Sequence, residues 1–198
     1  MKAEPTKGPE VASARERLLR AANELFYEEG VHTVGIDRVI EKAGVAKASL
    51  YSTFGSKEAL VQAYLAGRHE SRKARITKKL AAATTPRARL LAVFDALEEY
   101  ASEPTFRGCA FVLATAEGRT GAGVRRVCDQ SRAWMRGLLT DLAAEAGAAD
   151  PERLAQQMLL VYDGATVGSY MDDDPSVVKR ARALATMLVD AAIGRRDR

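Results

Sequence analysis

Residues 36–57 read IDRVIEKAGVAKASLYSTFGSK, and the rest of the chain takes its meaning from them. Apolar side chains recur at spacings of three and four. Ile36, Val39, Ile40 and Ala43 share one face of a helix over about 36–43, and Leu50 and Phe54 fall one turn apart on a second, over about 47–54. Gly44 between them can take the positive φ of a tight turn without a Cβ clash, and Val45 is placed to plug the gap between the two helices. Two short helices, a tight turn and an outer face free of bulky aliphatics are what a helix-turn-helix requires. With Leu50 and Phe54 inward, Lys47, Ala48, Tyr51 and Ser52 turn outward, offering a cation, a small residue, hydroxyls and an aromatic with a polar tip. Eight helical residues span about 12 Å, the width of the DNA major groove. No acid stands between Gly44 and Lys57, so Lys47 and Lys57 read as unopposed. Lys57, beside the backbone N–H groups that open the next helix, is placed to hold a phosphate. The pattern alone fits equally well a three-helix corner of a bundle with a polar outer face.

Working outward, nothing alternates with a strand period, and the chain reads as all-α with about nine helices. A leader over 1–12 contains Pro5, Gly8 and Pro9. Ser13 and Glu16 have capping-box spacing for a helix from Ala14 whose inner stripe is Leu18, Ala22, Leu25 and Phe26, with Gly30 just past its end. Ser56 is placed to cap a long fourth helix from Lys57 to about Leu80. Further helices are expected from Pro86 to before Pro104, over about 107–117, and over about 123–146, with a loop at Gly118–Gly123. Asp150-Pro151 and Asp174-Pro175 each combine an N-cap residue with a proline suited to the first helical position, opening helices to about Met171 and Ile193. The expected division is a leader (1–12), a helix-turn-helix domain (13–56) and a larger helical domain (57–198).

Of the 198 residues, 47% are hydrophobic and 28% charged, enough for a real core. The net charge of +4 does not point to DNA by itself, because residues 1–60 hold nine Lys/Arg against nine Asp/Glu. The basic excess lies over 68–89, where eight Lys/Arg face Glu70 alone; a solvated helix face and a phosphate-facing one fit it equally. No run of 18 or more uncharged apolar residues exists, Met1–Glu10 lacks an apolar secretion segment, and Cys109 and Cys128 form no CxxC pair. A cytoplasmic protein without a membrane partner is expected.

The Leu25-Phe26 pair, Gly30 and the run AGVAKASLYSTFGSKEAL, with its Leu50-Tyr51-x-x-Phe54 core followed by Lys57, closely resemble the N-terminal signature of TetR-type (TetR/AcrR) regulators. The resemblance implies that the helix over 47–54 is the recognition helix. It implies that the positions of Lys47, Ala48, Ser49, Tyr51 and Thr53 approach bases or phosphates, with Ser52 on the same outer surface, and that Lys57 is a phosphate anchor. It further implies a repressor binding palindromic operator DNA as a homodimer, through its last two helices (about 151–193), and released by a small molecule. Two departures stand out: Gly35 where Thr or Ser is frequent, and Asp37 where a cation is frequent. Asp37 and the neutral first 60 residues keep an alternative open, a helical small-molecule sensor or carrier that has lost DNA binding.

Beyond residue 60 the resemblance is softer, carried by FRGCAFVLATAE (106–117) and Trp134-Met135. Phe94, Tyr100, Phe111, Trp134, Met158 and Tyr162 are large groups on the middle helices, suited either to plain core or to an apolar or aromatic effector. Gly164 and Gly168 beside Ala165, and the stripe Val177, Ala181, Leu184, Leu188 and Ala191, suit either partner helices or packing within the chain. Cys109 and Cys128 read as buried thiols or oxidant sensors. No catalytic group, metal site or cofactor is expected. His32 and His69 lack metal-ligand spacing, Gly118-x-x-Gly121-x-Gly123 lacks the GK[ST] of a phosphate loop, and Asp172–Asp174 is too short for a calcium loop.

Overall fold

A computed structural model describes residues 12–116 and 121–194. The leader up to residue 11 and the first half of the expected loop after α6 lie outside the described residues. Among the described residues there are nine helices and no strand. They are α1 (Ala14–Glu29), α2 (Ile36–Ala43), α3 (Lys47–Phe54), α4 (Lys57–Ala82), α5 (Pro86–Ala101), α6 (Ala110–Ala116), α7 (Ala122–Glu145), α8 (Pro151–Met171) and α9 (Ser176–Ile193).

The helix starts follow local chemistry. Ser13 and Glu16 close a reciprocal capping box on α1. The Ser56, Thr85 and Asp150 side chains accept from the backbone N–H of Ala59, Ala88 and Arg153, capping α4, α5 and α8. At α9 the proline stands just before the helix, and Asp174 caps it by accepting from the Ser176 N–H at 2.8 Å. α6 begins at Ala110, later than expected, because Gly108 with φ of 81° breaks the chain just ahead of it.

Two apolar cores share α4. The smaller gathers Leu18, Ala22, Leu25 and Phe26 of α1, Val39 of α2, Leu50 of α3 and Leu60, Val61, Tyr64 and Leu65 of α4, with Ala114 of α6 and Val124 of α7 closing it. The larger takes Ile76 of α4 with Leu90, Phe94 and Leu97 of α5, Met135, Leu139 and Leu142 of α7, Met158 of α8 and Val178 and Val189 of α9. α3 contributes a single fully buried side chain, Leu50, with Phe54 half-buried beside it. Eight residues are far too few for a helix stable on its own, so α3 is held by its neighbours.

The stripe expected on α9 divides between two faces. Ala181 and the half-buried Leu188 point into the chain with Val178, Ala185 and Val189, whereas Leu184 and Ala191 are exposed. The inward face lies one position off the expected one, because small residues along α9 make both faces apolar. Gly168 meets α9 closely, an added Cβ standing 3.1 Å from Val177 Cγ1, while Gly164 is exposed with open space around it.

Candidate nucleic-acid interface and effector cavity

The turn between α2 and α3 is built by Gly44, in the left-handed conformation at φ 61°, ψ 44°. Gly44 N–H donates to Glu41 C=O and Val45 N–H to Ile40 C=O, the paired bonds of a Schellman ending. Arg17 of α1 donates to the Gly44 carbonyl at 3.0 Å and anchors the turn from below. Ion pairs then brace the unit: Arg38 with Glu29, and Lys42 with Glu24 at 2.9 Å, tie α2 to α1.

α3 presents Lys47, Ala48, Tyr51, Ser52 and Thr53 to solvent, with Ser49 half-buried. Tyr51 is 46% exposed, the one large apolar ring standing clear of the three-helix unit. The Ser52 and Thr53 hydroxyls both donate back to the Ser49 carbonyl, at 3.2 and 2.6 Å, so each must rotate to meet another acceptor. Neither α2 nor α3 has a side-chain N-cap, Gly35 and Ala46 occupying those places. Uncapped N-termini are suited to phosphate oxygens. Lys57 is half-buried at the start of α4, its Nζ 6.0 Å from the centre of the Phe26 ring.

Lys47 is not unopposed. Its Nζ lies 2.8 Å from Asp37 Oδ1, an acid that belongs to α2 and is brought opposite by the tight turn. The carboxylate raises the Lys47 pKa, by hydrogen bond and by charge.

The larger domain holds a cavity of about 360 Å³ between α4, α5, α6, α7 and α8. Tyr100, Phe111 and Tyr162 line it, with Leu97, Met135 and Leu159. Phe94 and Met158 stand outside it, fully buried, because they face the interior of the larger core; Phe94 packs edge-on against Tyr162. Trp134 is half-buried with its ring edge-on to His69. Cys109 and Cys128 are both free thiols on the cavity wall, and burial pushes the Cys128 thiol up.

Cations stand on the cavity wall beside the apolar groups, where no apolar pattern marks them. Arg68, Arg72 and Arg75 of α4, with Arg125 and Arg132 of α7, line the same space. Their spacing of four and three was legible as one helix face, but nothing in the sequence said that this face turns inward. The remaining cations over 68–89 are largely paired, Lys73 with Glu70, Lys79 with Glu99, Arg87 with Asp190 and Arg89 with Glu145.

Tyr27 of α1 joins the two sites. Its O–H donates to Gly108 C=O at 2.9 Å, and its oxygen accepts from Arg107 N–H at 2.8 Å. The 2.6 Å contact with Tyr100 must therefore be donated by Tyr100, since Tyr27 has one proton to give. The Arg68 guanidinium lies over the Tyr27 ring, 3.6 Å from its centre, and donates to the Tyr100 oxygen at 3.4 Å. Burial raises the Tyr27 pKa.

An outward α3 on a three-helix core, continued by α4 into a helical body, defines a helix-turn-helix protein of the DNA-binding kind. Residues 18–64 match the family of bacterial regulatory proteins, tetR family. A TetR-family transcriptional regulator from Streptomyces coelicolor superposes with a TM-score of 0.86 at 30% identity, over 91% of this chain and 96% of that one. BetI, an HTH-type transcriptional regulator of Rhizobium meliloti, is 28% identical over 181 residues, 89% of this chain and 88% of its own. FasR, an HTH-type transcriptional activator of Mycolicibacterium smegmatis, is 35% identical over 86 residues, which are 43% of this chain and 39% of that protein. The chain belongs to the TetR family of DNA-binding transcriptional regulators. No helix among the described residues is long and apolar enough to cross a membrane.

Proposed function

We propose that this chain is a homodimeric repressor in the cytoplasm that binds a palindromic operator and is released by a small-molecule effector. Residues 13–56 read DNA, and residues 57–198 bind the effector and the second subunit. The observation that carries DNA reading is the surface of α3, with Tyr51, Lys47 and hydroxyls facing outward over an uncapped N-terminus. Tyr51 supplies stacking area and a hydroxyl. Lys47 exchanges Asp37 for phosphate on docking, so Asp37 sets a threshold that weakly bound DNA does not cross.

Dimerisation through α8 and α9 is supported by where the exposed apolar groups lie. Of eight large hydrophobic side chains exposed among the described residues, Leu160, Val167, Tyr170, Met171, Leu184 and Met187 belong to these two helices. Leu160, Gly164, Val167 and Met171 form one stripe of α8, with open space at Gly164 for close approach. An apolar patch of this kind marks an interface. Effector response is supported by the cavity and by the Tyr27–Tyr100–Arg68 chain, which ties its wall to α1.

The test is selection of bound duplexes from a random pool by the purified protein at two salt concentrations, with sedimentation to count subunits. A palindromic consensus, bound by a dimer and weakening steeply with salt, is expected. A folded protein that enriches no sequence overturns the reading in favour of a sensor that no longer binds DNA.

A further inference from the structure

The cavity's cationic wall names its ligand. We propose that the effector is a small organic carboxylate, its head group held by Arg68, Arg72 and Arg75 and its apolar body by Leu97, Met135 and Leu159. This rests on the effector reading above and narrows it.

Three observations converge. First, the three guanidiniums fall on one face of α4, at i, i+4 and i+7, and that half-buried face lines the cavity. Like charges so spaced repel one another, and among the described residues no carboxylate forms an ion pair with any of them, although neighbouring Lys73 and Lys79 both have acidic partners. The acids on the cavity wall are otherwise placed: Asp163 is paired with Arg132, and Asp129 is exposed at the rim. Second, each guanidinium sits over an aromatic ring. Arg68 lies over Tyr27, Arg75 over Tyr100 at 4.1 Å and Arg72 over Phe111 at 4.9 Å. A cation held on a ring in this way keeps its place in the wall, and a guanidinium can meet a carboxylate with two parallel bonds. Third, their N–H groups are under-used. Arg72 reaches only Ser131 and Arg68 only the Tyr64 and Tyr100 oxygens, and the Nε atoms of both are buried without an acceptor. Buried donors left so are costly, and the guanidiniums that carry them have no acid among the described residues to offset that cost.

Cationic ligands are opposed by the same charges. His69, beside Ser131, adds no acid to this wall, and its pKa is lowered by burial and by Arg72. The volume of about 360 Å³ sits near the small end of ligand pockets. Leu97, Phe111, Met135, Leu159 and Tyr162 supply the apolar part of the lining, and the body beyond the carboxylate is assigned to them.

The experiment uses the full chain and two fluorescent probes of like shape, anionic 1-anilinonaphthalene-8-sulfonate and neutral N-phenyl-1-naphthylamine. The anion is expected to bind one per subunit at least about tenfold more tightly than the neutral probe, and octanoate or benzoate, but not inorganic phosphate, to displace it. In Arg72→Gln and, separately, Arg75→Gln, anion affinity should fall about tenfold or more, the scale of a lost charge-assisted bond, with the neutral probe unmoved. Arg75 has no hydrogen-bond partner among the described residues, so R75Q keeps the test open if R72Q folds poorly. Equal affinity for both probes, equal weakening of both in the variants, no binding of the anion, or displacement by phosphate alone overturns the carboxylate assignment. Operator binding is followed in the same samples. Its retention without anion selectivity sinks this inference alone, whereas its absence throughout sinks the DNA-binding reading instead.

Discussion

Replacing Tyr27 by Phe removes one oxygen and leaves three groups without their partner. The Gly108 carbonyl is buried, while the Arg107 N–H and the Tyr100 O–H are part-buried. An orphaned buried group costs about 1–3 kcal/mol. Counting the carbonyl in full and the other two at a fraction, since water reaches them, the loss is about 2–4 kcal/mol, a large share of a typical domain stability of about 5–15 kcal/mol. For a chain of this size that lowers the melting temperature by roughly 5–15 °C. The assay is urea unfolding followed by circular dichroism, at one fixed protein concentration because a dimer's stability depends on it. Operator affinity well below the melting point should stay close to that of the parent, since Tyr27 lies behind the reading surface. A loss under about 0.5 kcal/mol, below even the low end for one orphaned group, refutes the reasoning, for the oxygen would then be exchanging these bonds for water without cost.

Tyr51→Ala should lower operator affinity at least tenfold in fluorescence anisotropy with an unchanged melting curve; unchanged affinity would remove α3 from DNA reading. Lys57→Ala should weaken all duplexes alike and flatten the salt slope by about one, and an unaltered slope would take Lys57 off the phosphates. Leu160→Glu combined with Met187→Glu should give a folded monomer in sedimentation velocity, and a persisting dimer would place the interface elsewhere. Stability should fall as pH rises from 10 towards 12. Burial pushes Tyr64 and Tyr162 up to about 12, whereas unfolded tyrosines titrate near 10. Below pH 10 both states keep their protons and stability is intact; above it the unfolded chain ionises first, costing about 1.4 kcal/mol per ring per pH unit. Phenol absorbance of the folded protein rising fully near pH 10 would contradict this.

The reading half of the molecule was legible because its signals are local. Gly44, Ser13 with Glu16, Ser56 and the spacing of Leu50 and Phe54 act over a few residues, and each appears where its chemistry puts it. What escaped were pairings between elements. Lys47 looked unopposed because Asp37 is ten residues away, yet one turn brings the two to 2.8 Å. The apolar residues of the larger domain were recognisable as inward, but Phe94 and Met158 fill the core while Tyr100, Phe111 and Tyr162 reach the cavity. Periodicity assigns a face and does not say whether that face meets protein or a void. Arg68, Arg72 and Arg75 were hidden for the opposite reason, since charge at helical spacing ordinarily means solvent.

α4 connects these two halves mechanically. Leu60 and Tyr64 lie in the core of the reading unit, Ile76 lies in the larger core, and the three arginines lie between or beside them. From Lys57 to Arg72 the helix runs about 22 Å at 1.5 Å per residue, so a tilt of about 5° near Arg72 carries the Lys57 end about 2 Å. α1 to α3 move with it because they share Leu60 and Tyr64. In a two-fold dimer the displacements oppose, changing the separation of the recognition helices by about 4 Å against a groove repeat of about 34 Å. The energy required is modest. Hundredfold release needs a hundredfold preference of the effector for the shifted state, about 2.7 kcal/mol. One charge-assisted bond, worth about 1.5–3 kcal/mol, supplies that if a guanidinium reaches the anion in only one of the two positions of α4. Under the proposed effector response, three arginines on α4 itself, instead of on a fixed wall, would make binding and tilt the same event.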